Sequence, residues 1–167
     1  MNFIFDMDGT LTDPTHRHEA LSKGTITDEE YAVMLSNDPP INASVTLARS
    51  LARDHRIHII TSRPALVAQN TARWLKAQGI KPDSLWFRGN SDLNRSGCEV
   101  KEGLLQILLE HDYLTKKEPC AAFEDDLDAV RMYARYDIPT YTLPDLKNLH
   151  RYQRTLLQGK DEMGIHI

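Results

Sequence analysis

The stretch that decides the fold is Phe3–Asp13, "FIFDMDGTLTD". Three apolar residues lead into Asp6 and Asp8, which are separated by Met7 and followed by Gly9 and Thr10. An apolar run that stops at a polar turn reads as a buried strand reaching its carboxyl end. Side chains two positions apart on extended backbone share a face, so the two carboxylates meet there. Close carboxylates repel unless they share a proton or a cation. The plain structural alternative is a pair of turn-forming aspartates, since Asp–Gly favours tight turns.

Outward from this stretch, strand-like runs recur at Ile57–Ile60, Leu85–Phe87, Ala121–Phe123 and Thr140–Leu143, with amphipathic stretches between them. The alternation predicts an α/β fold: a doubly wound, Rossmann-like parallel sheet of about five strands with helices on both faces. Asn42 reads as the cap of a helix to about Asp54, with Val45, Ala48 and Ala52 on one face. Pro64 suits the first turn of a helix that carries Val67 and Trp74 and stops at Gly79. Val100, Leu104, Ile107 and Leu108 form a third apolar stripe, and Leu127, Val130 and Ala134 a fourth. Residues 14–41 break the alternation as a small, polar, cap-like insertion after the first strand. In it, Thr27 and Glu30 spell a capping box. The expectation is one domain over residues 1–167, with a helical tail from Pro144 to about Leu157 and a mobile end at 158–167.

With 167 residues, 41% apolar and 26% charged, the chain is long enough for a core without staples. Its formal net charge of −4 argues against a dedicated binder of long duplex nucleic acid. Cys98 and Cys120 lack metal or redox spacing, which fits a reduced, intracellular protein. No secretory leader or membrane-length apolar run is read, so the expected location is the cytoplasm.

Open α/β sheets bind ligands outside the carboxyl ends of their strands, and three further clues fall there. "IITSRP" places Thr61, Ser62 and Arg63 after the second run, either as a helix cap or as a phosphate site. "FEDDLDAV" places Glu124 and Asp125 after the fourth, while Asp126 and Asp128 suit a helix start. With Asp6 and Asp8 these acids make an oxygen-rich cluster that favours magnesium over zinc. Lys101 alone would be a surface lysine; beside such a cluster it is the fixed cation that phosphoryl transfer needs.

DxDGT at Asp6–Thr10, the hydroxyl of Thr61, Lys101 and the Glu124–Asp125 pair, in this order, resemble the haloacid dehalogenase superfamily over residues 3 to about 143. The resemblance implies that Asp6 is the nucleophile, forming an aspartyl-phosphate, and that Asp8 is the general acid and base. It implies Mg2+ held by Asp6, the Asp8 backbone carbonyl and Asp125, with Glu124 in support, and phosphoryl oxygens bound by Thr61 and Lys101. An acid at Asp8 implies phosphate-ester chemistry, because dehalogenases of the superfamily have no alkoxide to protonate. The spacing is similar to that of the 3′-phosphatase domain of bacteriophage polynucleotide kinase/phosphatase. There an arginine stands eleven positions after the nucleophile, as Arg17 does here, and the second motif ends in an arginine, as at Arg63. Arg95 partly matches the residues before the motif lysine, whereas an aspartate four positions before that lysine is Gly97 here. No GxxxxGK motif is present, so the expectation is a phosphatase without its kinase half.

The substrate expected is a polynucleotide 3′-phosphate end, with Thr10, Arg17, Ser62, Arg63 and Arg95 binding it and His16, His18 and Lys23 widening a basic rim. The alternative is a nucleoside 5′-monophosphatase, in which Trp86 or Phe87 would stack a base. A phosphotransferase and a non-catalytic binding module on the same fold are the remaining readings. Neither a membrane nor an obligate protein partner is expected.

Overall fold

A computed structural model describes residues 1–142 apart from residues 23, 25, 93, 115–117 and 119. The expected Leu143 strand end, the helical tail and Lys23 therefore lie outside the described residues, as does the side chain of His18. Five parallel strands form one sheet: β1 (Asn2–Phe5), β2 (Arg56–Pro64), β3 (Ser84–Arg88), β4 (Cys120–Phe123) and β5 (Thr140–Tyr141). Their order is β3-β2-β1-β4-β5. Phe3 stands opposite Ile57 on one side and Ala121 on the other, so the strand that opens the chain lies at the centre. The chain winds outward through β2 and β3, then crosses to β4 and β5. That reversal beside β1 opens a crevice at the carboxyl ends of β1 and β4.

Alternating side chains of the strands feed two cores. Phe3, Phe5, Ile57 and Ile59 pack with Val45 and Ala48 of α3 (Asn42–Leu51) and with Trp74 and Leu75 of α4 (Ala68–Ala77). On the other face Ile4, Ile60 and Ala122 meet Val100, Leu104, Leu105 and Leu108 of α5 (Gly97–Glu110) and Met132 and Tyr133 of α6 (Leu127–Arg135). The doubly wound reading is thus correct, with local corrections. Asn42 is the first residue of its helix and not its cap, since Ile41 occupies that position. Ile107 is exposed and Leu105 takes its place inside. In α6 the apolar stripe was read out of phase: Leu127 is 61% exposed, and the inward face is Ala129, Met132 and Tyr133. Strand β2 runs on to Pro64, with an irregular register against β3 from Ile60, and a 3-10 turn at Ala65–Val67 leads into α4, so Pro64 stands just before the helical run and not in its first turn.

The insertion carries α1 (Thr15–Ser22) and α2 (Asp28–Ser36). The Thr27–Glu30 capping box forms as expected. Asn70 of α4 donates to the Ala32 carbonyl and the Ser36 hydroxyl, and Trp74 Nε1 donates to the Asp38 carbonyl at 2.8 Å. The insertion is therefore fastened to α4 at the edge of the crevice. Among the described residues no helix is long and apolar enough to cross a membrane.

Candidate active site

The β1 ladder carries straight into the site: the Asp6 amide donates to the Phe123 carbonyl of β4 at 3.1 Å. Met7 is wholly buried, and its carbonyl accepts from the amides of Leu11 and Thr12, each at 2.8 Å. This turn requires Gly9, whose φ is +83°. It also needs the missing side chain, since a Cβ there would stand 2.0 Å from Asp125 Oδ2. The Thr10 hydroxyl reaches Asp125 Oδ1 at 3.3 Å, so the first motif and the acid after β4 are locked together.

Lys101 projects from the first turns of α5, whose start is fixed by a capping box between Ser96 and Glu99. Its ammonium lies 2.9 Å from Asp6 Oδ1 and 2.9 and 2.7 Å from the two oxygens of Glu124. The contacts to Glu124 are hydrogen bonds and the contact to Asp6 is an ion pair. Burial pushes the Asp6 carboxyl up to about 6, with Asp8 and Asp125 adding and Lys101 opposing. Burial, together with the charge of Asp6, pushes Glu124 up to about 8. Burial works against the Lys101 charge, yet the two carboxylates outweigh it and hold the ammonium well above its ordinary value.

One oxygen from each of Asp6, Glu124 and Asp125 can lie within 4.8 Å of the others. All are hard carboxylate donors without a histidine or cysteine among them, the donor set that suits magnesium. The space that Gly9 leaves for Asp125 fits the same purpose.

The second cluster is a quartet of two arginines and two aspartates, buried except for Asp8, whose side chain stays partly exposed. Arg17 and Arg63 are each only 2% exposed. Arg17 donates to Asp8 Oδ1 at 2.6 Å and to both oxygens of Asp38 at 2.7 and 2.9 Å. Arg63 Nε reaches both oxygens of Asp8 at 3.1 Å; its Nη2 binds Asp8 Oδ1, and Asp38 Oδ2 at 2.6 Å. The Thr12 hydroxyl adds a bond to Asp8 at 3.0 Å. Burial pushes the Asp8 carboxyl up, but Arg63, Arg17 and Thr12 outweigh it and hold it below its ordinary value. Asp38, in "NDPPI" at the end of the insertion, was missed in the sequence. Only a lone acid beside two prolines marked it, and its partners stand 21 and 25 positions away.

The remaining predicted residues divide. Thr61 is buried at the end of the sheet, where its hydroxyl oxygen accepts from the Arg63 amide at 3.2 Å. Because β2 continues past it, neither Thr61 nor Ser62 caps a helix. The Ser62 carbonyl accepts from Arg88 Nε at 3.0 Å, and its hydroxyl faces the open side of Gly97. Arg95 is exposed and bonds to Asp92 and to the Glu99 carbonyl. His16 lies 3.6 Å from Asp38. Trp86 donates to the Ser84 hydroxyl and packs against the second core.

A parallel sheet in this order, with a DxDGT turn after β1 and paired acids after β4, is the haloacid dehalogenase-like fold. Solved structures agree on that fold. A chain of the Pnkp1/Rnl/Hen1 complex matches with a TM-score of 0.68 at 18% identity, covering 85% of this chain and 45% of that one. The protein thus spans less than half the length of that chain. A haloacid dehalogenase-like family protein from Streptococcus pneumoniae matches with a TM-score of 0.58 at 16% identity, over 88% of this chain and 89% of that one. The HAD-hydrolase YfnB from Bacillus subtilis, a structure bound to magnesium, matches with a TM-score of 0.59 at 12% identity, over 90% and 97%. No family model and no curated protein matches the chain by sequence.

Proposed function

We propose that the protein is a magnesium-dependent phosphomonoesterase that works through an aspartyl-phosphate on Asp6 and acts on a nucleotide-type ester, a polynucleotide 3′-phosphate end in the first place. The observation that carries this reading is the Lys101 ammonium, 2.9 Å from Asp6 and bonded to Glu124, with the proton-carrying candidate Asp8 two residues along the same turn.

An oxygen of Asp6 attacks phosphorus in line; as that bond forms, the bond to the ester oxygen breaks and the leaving alkoxide takes a proton from Asp8. A water molecule then attacks the aspartyl-phosphate and gives a proton to Asp8, and the Asp6–phosphate bond breaks to restore the carboxylate. Held by two arginines, Asp8 rests ionised. The negative charge of an arriving phosphate raises its proton affinity, so Asp8 takes up a proton from solvent as the substrate binds and hands that proton to the alkoxide in the first step. Lys101, held by Glu124, fixes and neutralises Asp6. The Thr61 hydroxyl hydrogen has no partner among the described residues and is available to a phosphoryl oxygen. A magnesium ion held by Asp6, Asp125 and the Asp8 carbonyl, with Glu124 behind them, would offset phosphoryl charge.

The likeness of fold to a chain from the Pnkp1/Rnl/Hen1 RNA repair complex supports the polynucleotide reading. The nucleoside monophosphatase reading has its own support: Arg17 and Arg63 are buried against carboxylates, not laid out along a phosphate track. Phosphate release from a 3′-phosphorylated oligonucleotide, the same strand 5′-phosphorylated, and nucleoside 3′- and 5′-monophosphates separates the two. Activity is expected to vanish with chelator, and in Asp6→Asn at unchanged circular dichroism. Activity that survives either treatment would sink the mechanism.

A further inference from the structure

One side chain at the site has a role that neither the nucleophile, the metal cluster nor the quartet absorbs. Tyr31 lies on α2 of the insertion, half-buried, and its hydroxyl oxygen accepts from Arg17 Nη1 at 3.2 Å. The neighbouring nitrogen of the same guanidinium, Nη2, donates to Asp8 Oδ1 at 2.6 Å. One planar fork therefore sets the Tyr31 hydroxyl beside the carboxyl that handles the leaving-group proton. The Arg17 guanidinium carbon also lies 5.5 Å from the centre of the Tyr31 ring, which braces the ring on one side. The helix is fixed in turn, by its capping box and by Asn70 on the Ala32 carbonyl and Ser36. A phenol accepts and donates; here the oxygen is engaged as acceptor, while its hydrogen has no partner among the described residues. Burial and the nearby Asp8 both keep that proton on the oxygen, pushing the phenol up against the opposing charge of Arg17.

We infer that Tyr31 is a specificity-determining residue: its hydroxyl donates a hydrogen bond to an oxygen of the sugar that carries the scissile phosphate. The inference rests on the nucleotide reading above and deepens it. Asp8 marks where the ester oxygen lies, and a donor anchored to the same guanidinium meets atoms a bond or two beyond it on the leaving-group side. In a nucleotide those atoms belong to the sugar. The cap-like insertion then acts by presenting one fixed polar contact, and a substrate without a sugar oxygen there forgoes it.

The test compares Tyr31→Phe with the parent on thymidine 3′- and 5′-monophosphate and on isopropyl phosphate. All three are alkyl esters whose leaving oxygen needs a proton, but isopropyl phosphate has no sugar. One lost hydrogen bond corresponds to roughly a three- to tenfold fall in kcat/KM. That fall is expected on the preferred nucleotide, mainly through KM, with less than twofold loss on isopropyl phosphate. Equal falls on both substrates would show that Tyr31 acts only through Arg17 and Asp8, and would overturn the assignment alone, as would no fall on either. A parent enzyme that hydrolyses isopropyl phosphate but neither nucleotide nor a 3′-phosphorylated oligonucleotide would end the nucleotide reading and this assignment with it.

Discussion

Asp38 shows how much a single residue decides in this site. The two arginines that bracket Asp8 each take a second carboxylate, and it is the same one. Two positive and two negative charges thus balance inside the protein, which is what makes the burial of Arg17 and Arg63 tolerable. Replacing Asp38 by Asn leaves one guanidinium charge uncompensated, a loss that typically costs about 3–5 kcal/mol. It also frees both arginines to settle differently around Asp8. We expect Asp38→Asn to lower unfolding stability in urea by that order and kcat by about 10–100-fold, as for other groups that orient a reacting side chain. A variant destabilised to this extent but with unchanged kcat would mean that Asp38 serves the fold alone. Asp38 has no legible signature because its two partners lie far along the chain, in a segment with no periodicity. Arg17 and Arg63 were recognisable as site residues, yet charge alone does not tell whether an arginine faces a phosphate or a carboxylate.

Among elements, the turn between β1 and the insertion was the most readable, because each of its residues answers one constraint. Phe3–Phe5 fill the sheet, Met7 the core, and Gly9 a left-handed position against which Asp125 lies. Gly9→Ala tests the last point. A methyl group would displace the Asp125 carboxylate and strain the backbone, at about 1–2 kcal/mol for the conformation alone. The expected result is a lower melting temperature and a higher magnesium concentration for half-maximal activity, since Asp125 is one of the cation's candidate holders. Unchanged magnesium dependence at a lowered melting temperature would remove Asp125 from that set. The helices were legible as elements but less so in phase. In α6 the inward face is shared by Ala129, Met132 and Tyr133, and Tyr133 is buried despite its hydroxyl, so the aliphatic Leu127 and Val130 misdirect the reading. The start of α5 was open to reading in "SGCE", where Ser96 and Glu99 close a capping box just ahead of Lys101.

On the scale of the whole molecule, the sheet has two ends with different chemistry. The carboxyl ends of the strands hold the charged site, while their amino ends close on a buried polar chain centred on His58. The Asn2 amide nitrogen donates to Glu118 at 2.9 Å, so its oxygen faces His58 Nε2 at 3.2 Å and that nitrogen must carry the proton. His58 Nδ1 then accepts from the Ser84 hydroxyl at 2.8 Å, and Ser84 in turn accepts from Trp86 Nε1 at 2.7 Å. A second proton on the imidazole would turn Nδ1 into a donor, so the Ser84 oxygen would accept from both His58 and Trp86 and its own hydrogen would lose the imidazole as a partner. Burial holds His58 below its ordinary value, and Arg56 lowers it further, while Asp83 and Glu118 act in the opposite sense. The unfolded chain, with an ordinary imidazole near 6.5, therefore binds this proton more tightly than the folded one. The stability linked to His58 is fully present above about pH 6.5 and is lost as the pH falls through the lower value of the folded state. Urea unfolding followed from pH 7.5 to 5 is expected to show this loss, and His58→Gln is expected to flatten the slope while lowering stability at pH 7.5. A slope as steep in His58→Gln as in the parent would show that the acid sensitivity does not come from His58, nor from Asp6 and Glu124, whose raised values stabilise the fold as the pH falls.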